Sequence, residues 1–254
     1  MDFLSLEGKV ILITGGYGYL GSAVSQGLAQ AGATVVVLGR SIEKFQQQFL
    51  HQANIHFEPC DVASTTSIQT AFLNIKTRFG CIDGLINNAF YLKGQNPETM
   101  TDEEWNVSME GTLGSLFKCI REAIPYMKEK GGKIVNVASM YGVVAPDFRV
   151  YENNPFLNPP HYGAAKAGII QLTKYYAAYL GKYNIQVNTV TPGAFPSEAV
   201  QQNQAFIERL KQKTPLNRIG KPEDLKGIFV LLCAKSSDFI TGQNFIVDGG
   251  WTAW

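Results

Sequence analysis

The chain alternates between short runs that are apolar at nearly every position and longer stretches with helical periodicity. Residues 9–14 (KVILIT) and 34–38 (TVVVL) lack the every-second-residue polarity of a strand with one wet face. Such runs suit strands buried on both faces, as in a parallel sheet covered by helices on each side. Further strands are predicted at 55–57, 84–87, 133–138, 185–190 and 244–247. Helices are predicted at 22–31, 42–52, 65–79, 112–130, 162–180, 198–212 and 222–234, with Ser41 placed to cap the second. No linker, low-complexity tract or internal repeat interrupts the series. The pattern predicts one α/β domain over residues 1–254, a doubly wound, Rossmann-like parallel sheet of about seven strands.

Composition narrows the function classes. The 254 residues are 45% hydrophobic and 17% charged, which suits a globular chain, and the net charge is +1. No excess of Lys and Arg is available to neutralise phosphates, which argues against a nucleic-acid partner. The N-terminal run, Met1-Asp2-Phe3-Leu4 and onward, has no basic segment leading into an apolar stretch, so no signal peptide is expected. No stretch approaches the ~18 apolar residues of a membrane span. Cys60, Cys81, Cys119 and Cys233 are far apart, and His51 and His56 have no partner at metal-ligand spacing, so neither a disulfide framework nor a metal site is expected. A cytoplasmic protein is the expectation.

The first strand runs into Gly16-Tyr17-Gly18-Tyr19-Leu20-Gly21, a G-x-G-x-x-G match that opens the first helix. A tight turn there lets backbone approach a pyrophosphate held at a helix N-terminus, so Gly15, Tyr17, Gly18, Tyr19, Leu20 and Gly21 are assigned to a dinucleotide. A site for NAD usually carries an acid at the end of the second strand to hold the ribose 2′-hydroxyl. Here that strand ends Leu38-Gly39-Arg40. Nothing at Gly39 repels a 2′-phosphate and Arg40 can pair with one, which favours NADP(H) while leaving NAD(H) open.

Tyr162 and Lys166 stand four residues apart on a predicted helix and share a face. A phenol with a pKa near ~10 exchanges protons poorly at neutral pH, and a neighbouring ammonium favours its ionised form. This pair does not stand alone. Thr14-Gly15 with the glycine loop, Cys60-Asp61-Val62, Asn87-Asn88-Ala89, Val135-Asn136-Val137-Ala138-Ser139, Tyr162 with Lys166, Pro192-Gly193, Thr241-Gly242-Gln243 and Val247-Asp248-Gly249-Gly250 follow in order. In these motifs the whole chain resembles the short-chain dehydrogenase/reductase family in its shorter form.

The resemblance implies hydride transfer between a nicotinamide and a carbinol or carbonyl carbon. Tyr162 would be the general acid or base, Lys166 would lower its pKa and hold the nicotinamide ribose, and Ser139 would hydrogen-bond the substrate oxygen. Asp61 and Val62 would meet the adenine, Asn87 the adenosine-side ribose, and the loop with Pro192, Gly193, Phe195 and Ser197 the nicotinamide end; Asn88 and Ala89 are also assigned to the cofactor. A homo-oligomer, tetramer or dimer, is implied in the same way, with Tyr175, Tyr176 and Tyr179 read as packing or interface residues.

Three positions depart from the family pattern. Tyr19 occupies the middle glycine of TGxxxGxG, with Gly18 one place earlier. Thr112 falls where the family has a helix asparagine that holds a relay water, a task its hydroxyl can take with fewer hydrogen bonds. Phe90 replaces the glycine of NNAG and either adds bulk near the nicotinamide pocket or packs between strand and helix. His161, just before Tyr162, is read as a helix cap or as a group that orients substrate.

Between Ser139 and Tyr162 lie more residues than the family usually has. The extra stretch, about 147–160, reads DFRVYENNPFLNPP and is stiffened by Pro155, Pro159 and Pro160. Its amides, charges and aromatics suit a hydroxylated or acidic ligand such as a sugar; a subunit contact is the alternative. Residues 192–197 and 248–251 are similar to members of gluconate-type and nonulosonic-sugar metabolism. The expected function is therefore an NAD(P)-dependent oxidoreductase acting on a CH–OH group of a small polar, sugar-like substrate. A 3-oxoacyl reductase and a dinucleotide-binding sensor or assembly protein with little turnover are the rivals.

Overall fold

The structure is a computed structural model that describes residues 3–253. Met1, Asp2 and Trp254, and with them the two ends of the domain expected over 1–254 and the start of the N-terminal run, lie outside the described residues. The seven predicted strands form β1 (Val10–Thr14), β2 (Thr34–Gly39), β3 (Ile55–Pro59), β4 (Gly84–Asn87), β5 (Gly132–Val137), β6 (Ile185–Pro192) and β7 (Asn244–Val247). All pair in parallel in the order β3-β2-β1-β4-β5-β6-β7. The sheet order reverses between β1 and β4, which opens a crevice at their carboxyl ends.

Burial on both faces is why the strand runs carry so few polar positions. Leu12, Val36, Leu85 and Ile134 pack on one side against α3 (Thr65–Phe79), α5 (Ser115–Met127) and α6 (Pro160–Leu180), through residues such as Phe72, Ile120 and Ile169. Their neighbours Ile11, Ile13, Val35, Val37 and Ile86 face the other side, where Val24 and Leu28 of α1 (Tyr19–Gln30) meet Phe229 of α9 (Lys226–Cys233). Ser41 caps α2 (Ile42–Phe49) as expected, its hydroxyl accepting from the Lys44 N–H. No helix among the described residues is long and apolar enough to cross a membrane.

Three helical expectations need correction, and one helix was not expected; over 222–234 the α-helix begins only at Lys226, because Pro222–Leu225 forms a tighter 3-10 turn. The helix expected over 112–130 begins only at Ser115, because Glu110–Gly114 forms a wider π turn. Ahead of it lies a helix with no counterpart in the pattern analysis, α4 (Asp102–Met109). It is closed by a capping box: the Thr101 hydroxyl accepts from the Glu104 N–H, and the Glu104 carboxylate accepts from the Thr101 N–H. The stretch expected as one helix over 198–212 divides into α7 (Glu198–Gln201) and α8 (Gln204–Gln212), because Asn203 leaves the helical path and caps α8 through its side chain.

A buried polar string ties α6 to the sheet. The Asn87 amide donates to Asn136 Oδ1 at 2.9 Å, the Asn136 amide donates to Thr173 Oγ1 at 2.8 Å, and the Thr189 hydroxyl donates to the same oxygen at 2.7 Å. Each link joins a different element, β4 to β5, β5 to α6 and β6 to α6, so α6 has one seating over the sheet. Asn136 is fully buried, and Asn136→Ala leaves its partners unsatisfied. Urea denaturation is expected to show that variant destabilised by about 1–3 kcal/mol.

Candidate active site

The carboxyl ends of β1, β2, β4, β5 and β6 border a cleft of about 470 Å³. Every residue assigned above to the cofactor lines it except Asn87, whose side chain is turned into the sheet. Gly15 has a φ of +63°, and a Cβ on Gly21 would stand 2.5 Å from the Gly15 carbonyl and 2.9 Å from the Asn88 amide. Both positions therefore need glycine. Asn88 holds the loop from the other side, its amide donating to the Thr14 and Gly15 carbonyls, while the Asn88 and Ala89 N–H groups donate to Thr14 Oγ1. Tyr19 fits without a left-handed backbone because α1 starts on it, and its hydroxyl accepts from Gln201 of α7.

At the end of β2 the Tyr17 ring lies against Gly39, where a Cβ would come within 2.3 Å of it. Its hydroxyl accepts from the Arg40 N–H at 3.1 Å and the Ser41 N–H at 3.4 Å. The Arg40 guanidinium has no carboxylate partner among the described residues. Asp61 and Val62 line the adjoining wall. On the opposite side, Gly193 packs so closely on Asp248 that a Cβ would lie 2.5 Å from its Cα, and the Asp248 carboxylate is held by the Gly250 and Thr252 N–H groups. The C-terminal segment thus fixes the loop that carries Pro192, Phe195 and Ser197.

Ser139, Tyr162 and Lys166 meet in the same cleft. Ser139 follows the end of β5, and the Tyr141 N–H donates to its hydroxyl. Pro160 opens α6 at a position where its missing N–H costs nothing, and one helical turn then puts Tyr162 and Lys166 on the same face. Lys166 is almost wholly buried and donates to the Val137 carbonyl at 2.8 Å. Desolvation pulls its pKa down from 10.5 to about 7. Desolvation also raises the Tyr162 phenol, and a hydrogen bond with Ser139 works in the opposite direction. Lys166 Nζ stands 5.6 Å from the Tyr162 ring centroid, and burial is the largest influence on the phenol.

Phe90 does not pack between strand and helix. It is half exposed, its ring centroid lies 5.9 Å from that of Tyr162 and 5.0 Å from Lys166 Nζ, and it stands at the mouth of the site. Thr112 sits apart from the cleft in the π turn, with its hydroxyl buried and unpartnered. His161 does not cap α6. Its Nε2–H donates to the carbonyls of Lys93 and Gly94, fastening the start of α6 to the loop after β4.

A second cleft, of about 330 Å³, opens from the first and shares Phe90, Ser139, Tyr162, Gly193 and Phe195 with it. Its outer wall is the long insertion, whose side chains sort sharply. Arg149, Glu152 and Asn153 face solvent, whereas Tyr151, Phe156, Leu157 and Asn158 line the cleft. Arg209 of α8 donates to the Val150 and Glu152 carbonyls, and Phe206 packs on Tyr151 and Phe156, so the insertion is part of a third small core. Gln95, Asn158 and Phe206 were not singled out from the sequence. Loop residues carry no period from which their direction is read.

A family model described as enoyl-(acyl carrier protein) reductase matches residues 19–252. The 5-keto-D-gluconate 5-reductase of Escherichia coli K12 is 32% identical, with 98% of this chain and 97% of the relative covered. The 3-oxoacyl-[acyl-carrier-protein] reductase FabG of Thermotoga maritima is also 32% identical, over 97% and 99%. Among solved structures, a gluconate 5-dehydrogenase from Burkholderia cenocepacia, in complex with NADP and tartrate, superposes with a TM-score of 0.89 at 30% identity, covering 100% of this chain and 98% of that one. The chain belongs to the short-chain dehydrogenase/reductase family of NAD(P)-dependent oxidoreductases.

The buried lysine makes stability depend on pH. Between about 7 and 10.5 the unfolded chain holds a proton on Lys166 that the folded chain has lost, so the residue's contribution to stability rises with pH across that window. Below pH 7 the fold bears the full cost of a buried ammonium. Lys166→Met removes this titration. Urea denaturation is expected to show the variant's stability, relative to the parent, greatest at pH 7 and declining towards pH 10.

Proposed function

We propose that the chain is an NADP(H)-preferring oxidoreductase that interconverts a secondary alcohol and a ketone on a small polar, sugar-like substrate. The observation that carries this reading is the junction of the two clefts at Ser139 and Tyr162. One cleft suits a dinucleotide: glycine backbone crowds the turn at Gly15 and Gly21 where a side chain would collide, and Arg40 waits at the end of β2 for a 2′-phosphate. When bound, the dinucleotide supplies or accepts the hydride. The whole chain acts as one dinucleotide-binding domain, with the insertion beside its active site.

In this reading Ser139 holds the substrate oxygen and Tyr162 gives it a proton during reduction or takes one during oxidation. Lys166, close to neutrality in its pKa, hydrogen-bonds the cofactor's ribose and resupplies the phenol. Thr112, with its unpartnered hydroxyl at the π turn, is proposed for the relay behind Lys166. Asn87 acts from behind, positioning the neighbouring Asn88 and Ala89 through its bond to Asn136. The exposed rings of Phe117, Tyr175 and Tyr179 support a homo-oligomer joined through the α5–α6 face, and a cytoplasmic location belongs to the same reading.

A sugar-type substrate is favoured over an acyl chain by the likeness to gluconate-metabolising relatives and by the insertion, which walls the cleft with amide and phenol groups. The test is NADPH and NADH oxidation with keto-sugars, sugar acids and acyl ketones, followed at the reduced-nicotinamide band. Tyr162→Phe is expected to keep NADPH binding and to lose at least about 100-fold in kcat, the scale of general acid–base catalysis. Unchanged turnover contradicts the mechanism. Arg40→Ala is expected to raise KM for NADPH about 10-fold with a much smaller effect on NADH, since a charge-assisted contact of about 1.5 kcal/mol is lost only with the phosphorylated cofactor.

A further inference from the structure

The second cleft has an unusual chemical balance. Among the described residues its lining contains no Asp, Glu, Lys, Arg or His. Seven of its nineteen lining residues are aromatic and most of the others are aliphatic; beyond Ser139 and Tyr162 its polar side chains are Gln95, Tyr141, Tyr151 and Asn158.

The hydroxyls of Tyr141 and Tyr151 are 2.8 Å apart. Each phenol carries one proton, and a single hydrogen bond between them uses only one of the two. The second proton has no acceptor among the described residues, so the pair presents a donor to the cleft. Burial raises both phenols, which keeps them protonated. Asn158 also lines the cleft, but its Oδ1 is buried in the wall and has no hydrogen-bond partner. The free phenol proton and the lone pairs of the two phenol oxygens match hydroxyl groups, which both give and receive hydrogen bonds. A carboxylate only accepts, and it would shed its water with no cation in the lining to pair it.

Shape adds to this. A six-membered ring gathers its hydroxyls at the edge and leaves two apolar C–H faces, whereas an open polyol exposes hydroxyls along its whole length. Aromatic walls with a few placed polar groups suit the former. Building on the oxidoreductase reading above, we infer that this cleft takes an uncharged, polyhydroxylated ring, seated by its C–H faces on the aromatic side chains and by its hydroxyls on the Tyr141–Tyr151 pair. That separates the chain from relatives whose names carry a sugar acid.

The test uses the ring alcohol 1,5-anhydroglucitol and the open-chain acid gluconate, titrated calorimetrically into the full chain without nucleotide, so that neither is turned over. The double variant Tyr141→Phe/Tyr151→Phe removes both hydroxyls and leaves neither unpaired, so its fold is retained, as a thermal melt verifies. The parent is expected to bind 1,5-anhydroglucitol more tightly than gluconate, and the double variant is expected to bind the ring about 3- to 10-fold more weakly. Tighter binding of gluconate, or equal binding of the ring by parent and folded double variant, overturns the inference. Reduction of 1,5-anhydrofructose by NADPH is measured on the same samples. Selective ring binding that depends on the phenol pair, without that reduction, supports the subsite and counts against the oxidoreductase reading instead.

Discussion

The burial of one amine against the end of one strand organises this molecule. Lys166 reaches the Val137 carbonyl only if α6 lies flat on the sheet beside β5. The Asn87–Asn136–Thr173–Thr189 string holds that seating from below. Once α6 is seated, Tyr162 stands one turn before Lys166, and the strand that supplies Val137 presents Ser139 two residues further on. The cost of removing an ammonium from water appears as a pKa drawn down to about 7, so the group most expensive to bury is also the one whose proton is easiest to move near neutrality.

Around that fixed centre the chain varies its loops. Ahead of α6, the insertion turns Arg149 and Glu152 outward and Tyr151 and Phe156 inward, and α8 holds it through Arg209 and Phe206. Phe90 adds an aromatic group beside Lys166 and Tyr162, on the border of the two clefts. The result is a polar reacting corner opening into an aromatic, uncharged chamber. Scaffold and site thus follow different rules: the sheet maximises burial, and the chamber balances apolar walls against a few uncommitted hydrogen-bonding groups.

The sheet was highly legible in the sequence because burial on both faces leaves β1 and β2 with hardly a polar position, while β5 and β6 keep a few, such as Asn136 and Thr189, that are hydrogen-bonded inside the fold. The glycine loop and the Tyr162–Lys166 pair show in short-range spacing, whereas Ser139, 23 residues before Tyr162, was legible only through the resemblance of the ordered motifs to the family. What escaped was less periodic or further apart. Helix α4 buries little of its surface and shows almost no apolar stripe, although Thr101 and Glu104 advertise its capping box. The hold of Tyr17 on the Arg40 amide spans 23 residues and has no local signature. The inward turn of Tyr151 rests on contacts with Phe206 of α8 and with Tyr141 that only the folded chain brings together. Asn87 matched a family motif, yet its side chain serves the sheet while its neighbours serve the cleft.

The central claim is that carbon-bound hydrogen moves to or from the substrate at the junction of the two clefts. The most direct measurement is mass spectrometry and NMR of the alcohol formed from keto-sugars when the chain is supplied with NADPH deuterated on both C4 positions. The account predicts a single non-exchangeable deuterium on the former carbonyl carbon. NADPH consumption that leaves that carbon free of deuterium would contradict it.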